Sequence, residues 1–172
     1  MADAKSPVQL GYHQVQRETA KLLRPIGFRR KGSMIFTRTE DNFGVIHFQR
    51  NPYSTKDELV FTLNVGVIIG KLLDSRAYAK YPSIVHAQVR ERIGFLLPER
   101  YDKWWTITEE VDIFESSKDF AQLVLEKAVP FVQQFMKMEN VVCAWEQGNA
   151  LGLTERKRVE YLARLRTLFP SG

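Results

Sequence analysis

A chain of 172 residues, 44% of them hydrophobic and 26% charged, has the balance of a single globular domain and excludes general disorder. Its one cysteine excludes an internal disulfide framework, and no apolar run approaches the roughly 20 residues of a membrane helix. The net charge of +5 is mildly basic, which allows an anionic partner without requiring one.

Met1 to Gln9 lacks the apolar core of a signal peptide, so the expected setting is cytoplasmic. Val8 to Arg24 reads as a helix, with Tyr12, Val15, Leu22, Leu23 and Ile26 near one stripe. Pro25 and Gly27 stop it, because proline cannot continue the helix and glycine accepts a left-handed cap. The period then changes from 3.6 to 2. Ser33 to Thr39 reads as a strand, Glu40-Asp41-Asn42 as a turn and Phe43 to Arg50 as a second strand. After a loop at Asn51 to Ser54, Glu58 to Ile69 is the strongest strand: Phe61, Leu63, Val65, Val67 and Ile69 fill one face, while Thr62, Asn64 and Gly66 alternate with them. These three strands form an antiparallel meander.

Lys71 to Lys80 is expected to be a short helix ending before Pro82. His86 to Arg92 and Trp104 to Thr108 read as two further strands, with Val111 to Phe114 extending the second after a bulge. A long helix is expected from Ser116 or Ser117, kinked or split at Pro130. Asn140 to Glu146 reads as a helical piece. Gln147 to Leu153 is a linker, and Thr154 caps a last helix, Glu155 to Leu168, with Val159, Leu162, Leu165 and Phe169 on its apolar side. The pattern is α+β: an antiparallel sheet of about five strands, meander first, with helices packed on one face. Residues 1–146 read as one α+β domain. Residues 147–172 read as a linker and a basic C-terminal helix that packs on the domain or extends from it.

Charge is unevenly distributed. Arg24, Arg29, Arg30, Lys31, Arg38 and Arg50 share a stretch whose acids are Glu40 and Asp41. Arg156, Lys157, Arg158, Arg164 and Arg166 crowd the C-terminus, and Glu109 to Asp119 is acidic. The basic clusters fit either an anionic partner or a solvated surface paired with the acidic stretch.

Five segments in order carry a family likeness: Pro25-Ile26-Gly27-Phe28-Arg29-Arg30-Lys31-Gly32, Phe48-Gln49-Arg50, Phe61-Thr62-Leu63-Asn64-Val65-Gly66-Val67, Arg92-Ile93-Gly94 and Trp104-Trp105. Together, over roughly Thr19 to Phe135, the chain resembles the bacterial domain-of-unknown-function family number 4304. The resemblance implies a fold and a cytosolic setting; the family brings no activity.

Nucleophile elbow, Walker loop, dinucleotide glycine and zinc-helix motifs are absent. Cys143, in Val141-Val142-Cys143-Ala144-Trp145, reads as a buried structural thiol, because a reactive one needs a basic, open setting. Glu109, Glu110 and Asp112 read as an exposed acidic edge rather than catalytic carboxylates. No catalytic residue, metal ligand or cofactor is assigned: a metal on His47 and His86 would need a third ligand, and the strand alternation places none.

The second face of the sheet is the candidate site. If Phe61, Leu63, Val65 and Val67 face the helices, alternation sends Thr62 and Asn64 the other way, joined by His47 and Gln49, by His86, Gln88 and Arg90, and by one tryptophan, Trp104. Such a face is either an ordinary solvated side of an antiparallel sheet or a hydrogen-bonding platform for a protein or a polar or anionic ligand. The first functional expectation is a non-catalytic binding protein that uses His47, Gln49, Thr62, Asn64, His86, Arg90 and Trp104, by analogy an immunity or adaptor protein. One alternative is nucleic-acid binding through Arg29, Arg30, Lys31, Arg156, Lys157 and Arg158. The other is an enzyme acting on a polar small molecule with His47 or His86 as base.

Overall fold

The computed structural model describes residues 5–73, 82–110 and 113–169, without the Phe114 side chain. Helix α1 spans Pro7–Leu23 and starts at a capping box: the Ser6 hydroxyl accepts from the Gln9 amide while the Gln9 side chain reaches back to the Ser6 amide. A 3-10 turn, Arg24–Ile26, ends at Gly27, whose φ of +91° only glycine adopts without cost. Strands β1 (Arg29–Lys31), β2 (Met34–Arg38), β3 (Asn42–Arg50) and β4 (Glu58–Ile69) follow, then β5 (Val89–Arg92) and β6 (Trp105–Thr108). Helix α2 (Ile113–Leu123) passes through a π turn, Val124–Ala128, into α3 (Val129–Phe135); α4 (Met138–Glu146) and α5 (Glu155–Leu168) complete the described chain.

The sheet is antiparallel throughout, in the order β1-β2-β3-β4-β5, with β6 also on β4. At 12 residues, or about 40 Å at 3.3 Å per residue, β4 is long enough to carry two short strands end to end on one edge. Residues 64–67 take β5 and residues 58–61 take β6.

Every second side chain of β4 enters the core. Leu59, Phe61, Leu63 and Val65 meet Val8, Tyr12 and Val15 of α1, Phe120 of α2, and Val129 and Val132 of α3. Val67 and Ile69 meet Phe135 of α3, Val141 and Trp145 of α4, and Leu162 and Leu165 of α5. The described α-helices thus lie on one face. The Tyr12 hydroxyl donates to the Phe48 carbonyl at 3.3 Å, fixing α1 on β3, and Gly44 leaves room for α3, since a Cβ there would come within 2.1 Å of Val132 Cγ1.

Several expectations need correction. A short first strand, β1, pairs with β2 through the turn at Gly32-Ser33. The Lys71 to Lys80 helix falls almost wholly outside the described residues, and Gly70–Leu72 is a 3-10 turn. Residues 84–86 form a 3-10 turn instead of opening β5. Ile113 starts α2 rather than extending β6, which places Ser116 and Ser117 inside the helix. Pro130 does disturb the long helix: it has no N–H for an i−4 carbonyl and its ring crowds that carbonyl, and the π turn just before it takes up the misfit. On α1 the buried set is Val8, Gly11, Tyr12, Val15, Gln16, Thr19 and Leu23, leaving Leu22 and, in the turn after it, Ile26 exposed; on α5 Leu162 and Leu165 are buried while Val159 and, just past the helix, Phe169 are exposed.

Cys143 is exposed, not buried. Val141 and Trp145 occupy the inward face of α4, and a residue midway between them lies about 200° round the helix from the first. A thiol reagent should therefore titrate one thiol per folded chain without denaturant; labelling that waits for unfolding would place Cys143 inside. Leu63 is fully buried at the centre of the first core cluster, so Leu63→Ala should cost about 2–5 kcal/mol in urea denaturation. A loss below about 1 kcal/mol would contradict this packing.

Candidate functional site

Residues opposite each other in an antiparallel pair share a face, so the register lays out the side turned away from the helices as cross-strand rows. One row runs Lys31, Met34, His47, Asn64, Arg92 across five strands. The next runs Arg29, Phe36, Val45, Gly66, Arg90. Both begin on a cation of β1 and end on an arginine of β5. At about 4.8 Å per strand, the cationic margins stand roughly 19 Å apart.

Of the sequence-predicted set, His47, Gln49, Asn64 and Arg90 all lie on this outer face. The Asn64 amide donates to Gln49 Oε1 at 2.7 Å, which ties β3 to β4. Beside Asn64, Arg92 makes a two-pronged ion pair with Asp102, at 2.8 Å to each oxygen. Trp104 Nε1 donates to the same carboxylate at 3.2 Å, and the Arg92 guanidinium stands 5.1 Å from the centre of the Trp104 ring. The Arg92 and Trp104 hydrogen bonds hold the Asp102 carboxyl below the usual carboxylate range. The Trp104-Trp105 pair splits between the faces: Trp105 lies opposite Phe61 and packs edge-on against Phe120 in the core, 5.0 Å between centroids.

Thr62 also faces outward, but it is fully buried. It sits where β4 passes from its β6 partner to its β5 partner, and its hydroxyl donates to the Lys103 carbonyl at 2.8 Å. Its polar group is committed to the fold. Gln88 is likewise buried, accepting from the Ile69 amide at 2.8 Å. His86 is half-buried at the end of the 3-10 turn. Ala87, which alternation with the outward His86 and Gln88 would put on the helical side, packs outside with Phe43, Val45 and Ile68. That apolar cluster, joined by Met34, Phe36, Leu73 and Ile84, covers part of a face expected to be polar.

His47 Nδ1 is buried and has no hydrogen-bond partner among the described residues. Burial keeps the ring's pKa below its usual value, and a general base would instead need open access. Among the described residues no three His, Cys, Asp or Glu side chains gather as a metal site, and no helix is long and apolar enough to cross a membrane.

The two basic clusters differ in how they are compensated. On α5, Lys157 pairs with Glu160 at 3.0 Å, Arg158 with Glu155, and Arg166 with Glu146 at 2.7 Å. Arg158 also donates to the Trp145 carbonyl near the end of α4, so its guanidinium is structural; Arg156 is exposed. At the other cluster Arg29 and Lys31 are exposed and lie on the outer side of β1. Arg30 turns towards α1, donating to Gln16 Oε1 at 2.5 Å and to the Gly32 carbonyl at 2.9 Å.

The hairpin and meander that build this face, with β5 and β6, lie within residues 19–134, which match the model of a family described as a domain of unknown function, DUF4304. The chain belongs to the DUF4304 family. No curated protein and no solved structure matches it. The matched span of the DUF4304 domain contains every outer-face residue named above and ends before α4 and α5.

The half-buried ring of His47 in this DUF4304 domain should make stability depend on pH. A histidine with a depressed folded pKa contributes stability that is present above the unfolded value of about 6.5 and is lost as pH falls through the window beneath it, because the unfolded chain takes the proton first. His13 is lowered as well, first by burial and then by Lys5, and acts in the same direction. Urea denaturation should show a falling unfolding free energy from about pH 7 to about pH 5. His47→Gln, with His13 intact, should make that fall shallower; an unchanged slope would mean the ring is not buried in the neutral form.

Proposed function

We propose that this DUF4304 domain is a non-catalytic binding module that docks a protein partner on the outer face of its sheet, centred on Asn64, Gln49, Arg92 and Trp104. The observation that carries this reading is the cluster of Trp104, Arg92 and Asp102 beside the Asn64–Gln49 pair, on the face that the described α-helices leave uncovered. Tryptophan, tyrosine and arginine dominate the energetics of protein interfaces, because each combines large contact area with a polar handle. Here the cation and the ring are already held against each other, so little side-chain freedom is left to lose on binding. Tyr101, 48% exposed, and Val85, 69% exposed, add apolar area in the segments next to Trp104 and next to Ala87. The expected Thr62 and His86 have lesser parts in this reading: Thr62 is buried, and His86 borders the patch.

The test is affinity capture with chemical cross-linking, comparing the unmodified protein with an Asn64→Arg, Trp104→Ala variant and with an Arg156→Glu variant on α5. A partner on the outer face should bind the first variant about thirtyfold more weakly, the effect of losing about 2 kcal/mol, and bind the second unchanged. A partner retained equally by all three, with cross-links mapping to the helical side, would defeat the reading.

A further inference from the structure

We propose that the free edge of β1 carries a second binding site, separate from the Trp104 patch, that takes the phosphodiester backbone of a single-stranded nucleic acid.

The first argument is charge. Between positions 17 and 38 the sequence has seven Lys or Arg and one acid, Glu18, whereas the rest of the chain has 18 Lys or Arg against 19 Asp or Glu. The net positive charge of the protein therefore resides in this one segment. Folding gathers it: the last turns of α1 contribute Arg17 and Lys21, the 3-10 turn that follows contributes Arg24, and the β1–β2 hairpin contributes Arg29, Arg30, Lys31 and Arg38. Among the described residues, Arg17, Lys21, Arg24, Arg29, Arg30 and Arg38 form no salt bridge, in contrast to Lys157, Arg158 and Arg166 of α5. The partly buried Arg30 has its pKa lowered by burial and by Arg17, the direction expected of cations crowded without a counter-charge.

The second argument is shape. Three adjoining open clefts of about 770, 560 and 720 Å³ meet at Arg30. The first lies on the α1 side, between Arg17, Lys21, Arg24 and Gly32, with Glu18 the one acid on its wall. The second crosses the strand end at Gly27 and Phe28. The third opens on the outer face between Arg29, Lys31, Phe36 and Arg38. Together they form a basic path around an edge only three residues long, with no further strand beside β1 among the described residues.

The path selects its occupant. A duplex is stiff over about 150 base pairs and cannot follow a turn around one strand, whereas a single strand can. On the outer side the half-buried Phe36 ring stands edge to face against the buried Phe43 at 6.4 Å, and the Arg38 guanidinium lies 5.2 Å from the Phe43 ring centre, so Phe36 and the Arg38 plane are the surfaces offered to a base. Rings and guanidinium planes beside a cationic groove are what single-strand binders use to stack bases while cations hold phosphates.

The experiment is fluorescence anisotropy with a labelled oligothymidylate of about 16 nucleotides, on the full chain. If four phosphates are neutralised, affinity should fall about fiftyfold between about 50 and 200 mM salt, from a slope of about −0.7 per phosphate. Arg24→Glu, Arg29→Glu, Arg38→Glu should weaken binding at low salt at least about tenfold and flatten the slope by about two units. Arg156→Glu, Lys157→Glu on α5 should change it less than about twofold, and the Asn64→Arg, Trp104→Ala variant should not weaken it, which separates this site from the protein-docking patch. The milder triple change to glutamine, with thermal melting followed by circular dichroism, guards against misfolding and should give an intermediate loss. Absence of binding at low salt, equal loss on reversing the α5 charges, or equally tight binding of polyglutamate, the signature of a site for acidic proteins, would each overturn the proposal.

Discussion

The rest of the structure depends on the register of β4. Its apolar side chains alternate without interruption from Leu59 to Ile69, so a slip of one residue would expose the whole set and bury Thr62, Asn64 and Gly66 beneath the helices. Held in that register, one face of a single strand supplies both large core clusters, with Leu59 to Val65 in the first and Val67 and Ile69 in the second. Because β3, β5 and β6 all pair with β4, its alternation is imposed on their faces too. The outer rows from Lys31 to Arg92 and from Arg29 to Arg90 are consequences of that one constraint.

An open antiparallel sheet leaves edges that invite association, and the two edges here are managed differently. At β5 the Arg90 amide donates to the Leu151 carbonyl at 2.8 Å, so the segment between α4 and α5 lies along the strand. At β1 the strand is three residues long and every residue is cationic, which resists pairing with another strand by charge. The same device that protects the edge concentrates positive potential there. A protective edge and an anion-binding edge therefore require the same residues.

Polar groups on the outer face show how such a surface coexists with stability. Thr62 and Gln88 are buried but hydrogen-bonded to backbone, so neither carries the penalty of an unmade bond. Arg92, Asp102 and Trp104 satisfy one another at the surface. His47 Nδ1 is the exception, a buried nitrogen without a partner among the described residues, tolerated because a neutral imidazole loses far less on burial than a charge would.

The sequence alone determined the fold class, the meander, the bounds of β4 and α5, and the outward direction of His47, Gln49, Asn64 and Arg90. The physical reason is local: alternation and capping are set by residues within a few positions of one another, and an unbroken apolar set on β4 leaves only one side for the polar residues. Tertiary structure alone decided which of those residues stay accessible and which charges stay uncompensated. Thr62 disappears beneath Lys103 because two short strands meet end to end over it, and Ala87 crosses to the outer cluster because residues 84–86 turn instead of extending. Cys143 is exposed because the packing of Val141 and Trp145 sets the rotation of α4, which an apolar stretch of that length does not specify. Two basic stretches that look alike in the sequence part ways in space: α5 pairs Lys157, Arg158 and Arg166 with acids on its own turns and on α4, while the end of α1 and the β1–β2 hairpin bring their arginines together around clefts in which Glu18 is the one lining acid. Which charges face each other is a property of how elements dock, and no local pattern encodes it.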